Sequence, residues 1–359
     1  MRLTFPFDND NSDIIIILQI LREYAFQPII MSENSKAQKL RLESWMNDLP
    51  PQLKDVPLIY LAIPGSHDSM TYGITRSSGI APDAEPVLKR LYPVFRGTIL
   101  RWTITQSTDT LQQLLLGIRY LDLRLATKVG EENFYFTHGL YADEISKALL
   151  QVKEFVDTHP GEVVILDCQH FYGFTAQDHQ RLMRYLINLY GPRLVPRQND
   201  PQSITINSLN RLKMQVIIVY RNESVYSTGD FWQPQMLPSP WPQRDSVPGL
   251  LAFLQHVRRP PGAGFVHQAV LTPTPLFIVL RFISNLREKC AIPVKNEVLP
   301  KLAEFTPGPP QPGDMTSPSS VNVVIADFIE MDDAVFPKTV IGLNMKLLRH
   351  TKQAYNSNG

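Results

Sequence analysis

Short apolar runs that end in a polar, titratable residue recur along this chain. In residues 58–72, LIYLAIPGSHDSMTY, the run Leu58, Ile59, Leu61 and Ile63 meets Pro64-Gly65, and Ser66, His67, Asp68 and Ser69 follow in a row. IRYLDLRLA (118–126) sets Tyr120, Asp122 and Arg124 on one strand face at period two. NFYFTHG (133–139) runs into His138, EVVILDCQH (162–170) into Asp167, Gln169 and His170, and VNVVIADF (321–328) into Asp327. Each pattern predicts a buried strand that delivers chemistry at its C-terminal end. MQVIIVY (214–220) and GFVHQAVL (264–271) predict two further strands.

Helical patterns lie between them. Residues 107–116 read as a capped helix stopped by Gly117, and 142–158 carries Ile145, Leu149, Val152 and Val156 at helical spacing before Pro160-Gly161. Thr175 and Asp178 stand in capping-box positions ahead of Leu182, Leu186 and Tyr190, and Gly191 ends that segment. Strand–helix alternation over some 300 residues predicts a parallel α/β fold. A doubly wound sheet would bind at one switch point, usually through a glycine-rich phosphate loop, and neither G-x-G-x-x-G nor G-x-x-x-x-G-K-[ST] occurs. A barrel draws its site from the ends of several strands. The distribution of polar residues favours the barrel.

Composition narrows the function classes. Thirty-five basic and 34 acidic residues leave a net charge of +1, so no global field recruits nucleic acid. The 359 residues, 43% apolar, suffice for one large core. Cys168 and Cys290 form neither a disulfide framework nor a zinc site and point to a reducing, cytoplasmic setting. The apolar run 14–21 is too short for a spanning helix, which needs about 20 residues. Acidic residues precede it where a secretory signal wants basic ones. Two proline-rich stretches interrupt the alternation: 233–248, read as a rim loop carrying Trp241, and 305–320, read as a surface loop.

IPGSHDSM, GIRYLDLR, FTHG, VVILDCQHF and VVIADF, in that order, resemble the phosphatidylinositol-specific phospholipase C X-domain family, and within it the small eukaryotic PI-PLC X domain-containing proteins. The likeness covers about residues 44–348, with 1–43 as an N-terminal extension and 349–359 as a tail. It implies a single-domain irregular TIM-type (β/α)8 barrel. It also implies cleavage of phosphatidylinositol or a related inositol phospholipid between the diacylglycerol oxygen and phosphorus, with the inositol 2-hydroxyl attacking first. By resemblance His67 is the general base, paired with Asp327, and His138 is the general acid, supported by Asp68. Arg124 contacts the phosphate, with Asp122 beside it. Two imidazoles suit in-line displacement, which separates nucleophile and leaving group, because their pKa lies near neutrality.

Arg124 also puts a fixed positive charge where calcium-dependent relatives carry an acidic ligand, so the resemblance implies no metal and no other cofactor. Gln169 is neither the lysine nor the glutamate of the two kinds of relative, and His170 follows it. These two, with Arg221 and Trp241, are the candidates for substrate binding, and Trp102, Trp232 and Trp241 those for transient peripheral contact with intracellular membranes. Two other readings stay open. One is a catalytically weak or inactive lipid- or phosphate-binding regulator on the same barrel; the other is an enzyme for a different phosphodiester with a neighbouring hydroxyl.

Overall fold

The computed structural model describes residues 40–310 and 320–348. The apolar run 14–21, most of the second proline-rich loop and the tail 349–359 lie outside the described residues. The chain divides into two units at Leu40/Arg41, and the second holds every element named below. In chain order these are β1 (Ile63–Ser66), α1 (Pro86–Thr103), α2 (Thr110–Leu115), β2 (Tyr120–Thr127), β3 (Phe134–His138), β4 (Leu140–Glu144) and α3 (Ile145–Thr158). They continue with β5 (Val164–Tyr172), α4 (Ala176–Tyr190), α5 (Ile206–Leu212), β6 (Val216–Tyr220), α6 (Val247–His256), β7 (Val266–Gln268), α7 (Pro275–Val279), β8 (Val323–Ala326) and α8 (Met331–Leu343).

Six strands run parallel in the order β7-β8-β1-β2-β5-β6. The ladder does not close between β6 and β7. The segment 232–238 fills that gap: Trp232 bridges Val219, while the carbonyls of Met236 and Pro238 accept from Gly264 and Val266, each at 2.9 Å. The result is a barrel of TIM type, irregular on that side. Alternation sorts the side chains. Ile63, Tyr120, Ile165, Ile217, Val219, Val266, Val323 and Ile325 pack together inside the sheet. Leu121, Leu123, Leu166, Ile218 and Val324 pack outward against Leu149 and Val152 of α3 and Leu182 and Leu186 of α4. Gly65 makes the narrow interior possible, since a Cβ there would meet Tyr120 at 2.7 Å and Ile325 at 2.8 Å.

Several elements differ from the sequence expectation, each for a local reason. The run 58–61 is not strand: Leu58–Tyr60 is a 3₁₀ turn, and the strand is Ile63–Ser66, Pro64-Gly65 included. The helix expected over 142–158 starts at Ile145, because Leu140–Glu144 pairs with β3 and Glu144 caps the helix at the Ser146 amide. The next surprise is β3 itself, which runs antiparallel to β2, so His138 sits on a hairpin and not at the end of a parallel barrel strand. Helix α1, kinked at Phe95 just after Pro93, gives no clear periodic signal in a stretch punctuated by Pro86, Pro93 and Gly97. Thr175 and Asp178 do form the capping box of α4.

Candidate functional site

Continuing the interior period by one more residue toward the C-terminal ends replaces apolar side chains with polar ones. Ile63 and Gly65 lead to His67; Tyr120 leads to Asp122 and Arg124; Ile165 leads to Asp167 and Gln169; Val219 leads to Arg221; Ile325 leads to Asp327. Parallel register then brings these residues to one end of the barrel. The sequence-predicted residues His67, Asp68, Asp122, Arg124, His138 and Asp327 form one cluster.

His67 Nδ1 lies 2.8 Å from Asp327 Oδ1, and its Nε2 lies 3.4 Å from Asp68 Oδ2 and 3.3 Å from Arg124 Nη2. His138 presents its own Nε2 to the same Asp68 oxygen at 3.3 Å, with Nδ1 2.7 Å from the Thr103 carbonyl. The two rings stand 6.5 Å apart, edge to face. Arg124 forms an ion pair with Asp68 through Nε and stands 4.0 Å from Asp122. Asp68 is thus not behind His138 alone. It sits between both imidazoles and the guanidinium, in a left-handed backbone conformation (φ 41°) that aims it inward.

Charges set the protonation states. Burial pulls the His67 imidazole down, but Asp68 and Asp327 outweigh it and lift the group to about 9. Burial pushes Asp68 up, yet Arg124, His138 and His67 hold it below the usual carboxylate range. Asp122 is lifted to about 6 by burial and by Asp68, against the pull of Arg124. Its Oδ2 accepts from the Asp68 amide at 3.1 Å. His67, Asp68 and Asp122 offer ligand atoms within 4.8 Å of one another, a composition that suits a cation. The guanidinium of Arg124 already pairs with Asp68 and stands beside Asp122 there.

A second network lines the adjoining wall. Arg221 donates to both oxygens of Asp167, at 2.8 and 2.7 Å, and to the Leu237 carbonyl at 2.7 Å. Tyr120 and Gln169 donate to Asp167 as well, at 2.8 and 3.2 Å. Arg221 and Gln169 are therefore bound into the wall by Asp167, which leaves the Arg221 Nη1 group as the part of that side chain free of these contacts. His170 is exposed and stacks on Tyr172. Trp241 is half-exposed, its indole donating to Thr272 at 2.8 Å. Trp102 and Trp232 are buried, so the expectation that either meets a membrane is corrected; Phe277 packs on the first, and the second fills the barrel gap.

Sequence reasoning missed the segment after α1. Thr105 donates to the carbonyls of His67 and Asp68 (3.2 and 3.1 Å), and Gln106 to those of His67 and Ala326 (2.9 and 3.0 Å). These residues follow a helix, not a strand, and the strand-end signal cannot reach them.

Comparisons with known proteins agree with this architecture. A phosphatidylinositol-specific phospholipase C from Listeria monocytogenes matches with a TM-score of 0.54 at 18% identity, over 84% of this chain and 98% of that one. A pentafluoro-Phe form of the corresponding Staphylococcus aureus protein gives 0.55 at 17%, over 84% and 97%. At such identities the likeness defines the fold, a barrel of the phospholipase C type. Residues 100–222 match the family described as phosphatidylinositol-specific phospholipase C, X domain. PI-PLC X domain-containing protein 3 of Homo sapiens is 34% identical over 324 residues, 88% of this chain and 97% of that protein. PI-PLC X domain-containing protein 1 of Mus musculus is 36% identical over 314 residues, 85% and 87%. The chain belongs to the PI-PLC X domain family.

Proposed function

We propose that this chain is a phosphodiesterase of the phospholipase C type, acting on phosphatidylinositol or a related inositol phospholipid. One observation carries the reading: two imidazoles from different elements turn their Nε2 atoms toward one point beside a partly buried guanidinium. In-line displacement at phosphorus needs a proton removed on one side and supplied on the other. His67, oriented by Asp327, takes the proton of the attacking inositol hydroxyl; His138 returns one to the departing glycerol oxygen. Arg124 binds the phosphoryl oxygens, where negative charge accumulates. To do so it exchanges part of its pairing with Asp68 for the substrate.

The same reading proposes that no metal takes part, since Arg124 already supplies the positive charge next to Asp68 and Asp122. Turnover in EGTA is the expected result, and activity that appears only on adding calcium would contradict it. The bilayer side is supported by an apolar rim. Leu276, Val279, Leu280, Phe282 and Ile283 are each more than half exposed, and α1 exposes Val94 and Phe95. Arg101 ties the two segments together through the carbonyls of Phe282 and Ser284. These residues replace the buried tryptophans as the proposed membrane contact.

The regulator reading keeps one specific support. Asp68 occupies both Nε2 atoms and the guanidinium, and His67 is largely cationic at neutral pH, an arrangement that also suits simple anion binding. Turnover of phosphatidylinositol in mixed micelles, lost in His67→Ala and in His138→Ala at unchanged melting temperature, supports the enzyme. Inositol phosphate binding without turnover supports the regulator.

A further inference from the structure

His67 and His138 are held very differently. His67 follows a barrel strand, with its carbonyl bound by Thr105 and Gln106 and its ring by Asp327. His138 ends β3 in an antiparallel hairpin, on the near side of a one-residue turn at Gly139 (φ 68°), and its side chain is 26% exposed. What fixes that turn is Asp83, three residues ahead of α1. Its Oδ1 accepts from Thr137 Oγ1 at 2.6 Å and its Oδ2 from the Gly139 amide at 2.6 Å, so one carboxylate grips both neighbours of His138. The backbone around it is aligned for this. Ile80 bridges Leu140, Ala81 donates to the Gly139 carbonyl at 3.1 Å, and Tyr141 donates to the Gly79 carbonyl at 2.9 Å.

We infer that Asp83 is a positioning residue for His138, holding the hairpin turn so that the ring meets the Thr103 carbonyl through Nδ1 and faces Asp68 through Nε2. The carbonyl accepts from the Nδ1–H, which leaves Nε2 facing Asp68. Thr103 ends α1 and Asp83 precedes it, so both anchors of His138 come from the two flanks of that helix. Without the carboxylate the Gly139 amide loses this acceptor, the turn loosens, and Nε2 drifts from its line toward the substrate. A misplacement of about 1 Å is enough to cost on the order of 10²-fold in rate. Asp83 needs no contact with substrate for this.

The inference rests on reading His138 as the proton donor, and its test separates the two. Histidine side-chain NMR of the full chain compares wild type with Asp83→Ala, Asp83→Asn and Thr137→Val, alongside micellar turnover. In Asp83→Ala the His138 ring signals shift or broaden while those of His67 stay. Its kcat falls about 10- to 100-fold with KM nearly unchanged. Asp83→Asn, which keeps an acceptor for the Gly139 amide, recovers most of both. Should Asp83→Ala not fold, Thr137→Val, which removes one arm of the grip, must still disturb the His138 signals. His138 signals identical to wild type in every folded variant would overturn the inference. A wild-type chain that turns over no lipid would sink the phospholipase reading and leave the NMR comparison to decide the role of Asp83.

Discussion

In the proposed mechanism the chemistry turns on His67, and its surroundings make a numerical demand. With Asp68 and Asp327 lifting it to about 9 against burial, the free protein holds this imidazole as a cation at neutral pH. A base must be neutral, and by histidine NMR the His67 ring of the free protein should titrate near 9 and not near the ordinary histidine value of 6.5. A midpoint at 6.5 would show that the carboxylates do not set its charge. Asp122 makes the opposite kind of demand, on stability. Its folded carboxyl lies at about 6 against an ordinary 3.8, so the proton is held more tightly folded than unfolded. That contribution is fully present below 3.8 and is lost as the pH rises through 6. Asp122→Asn escapes the loss while its carbonyl still accepts from the Asp68 amide. Its melting advantage over wild type should grow between pH 4 and pH 7 to on the order of 1–3 kcal/mol. A difference independent of pH, read by thermal unfolding across that range, would contradict the account.

Elements place these residues, and two lie far from the chemistry in effect if not in sequence. At the N-terminal end of β2, Arg119 is fully buried and donates to Glu162 at 2.8 Å, to the Leu114 and Ile118 carbonyls at 2.7 and 2.8 Å, and to the carbonyls of Leu42 and Glu43. Arg119→Ala leaves Glu162 as an uncompensated buried charge and should cost about 3–5 kcal/mol in denaturant unfolding. A loss below about 1 kcal/mol would mean the pair is not holding that end of the barrel. Leu42 and Glu43 are thereby tied to this end of the barrel. The stretch from α7 to Ile283 is the element exposed to lipid in this account. Leu280→Asp with Ile283→Asp should abolish cosedimentation with phosphatidylinositol vesicles while leaving thermal stability within about 0.5 kcal/mol, as is usual for surface changes. Undiminished vesicle binding would move the membrane contact elsewhere.

At the scale of the whole molecule, the sequence exposes what parallel register organises. His67, Arg124, Asp122 and Asp327 were legible because each follows an apolar run, and the barrel brings such ends together. His138 was legible by its motif, but its antiparallel hairpin was not, since one strand's alternation carries no record of its partner's direction. Asp83, Thr103, Thr105 and Gln106 had no local signal; they act through backbone and turn contacts that exist only once α1 has packed. Tryptophan was a poor guide to the lipid-facing side, because Trp102 and Trp232 fill interior space and aliphatic residues of α7 stand exposed instead. The central claim is that the assembled cluster cleaves an inositol phospholipid without a metal. Phosphorus NMR of the purified chain with phosphatidylinositol micelles in EGTA, beside a His67→Ala control, tests it most directly. The account predicts a cyclic inositol phosphate signal from the wild type alone. Turnover that needs calcium, or equal turnover by the His67→Ala variant, would contradict it.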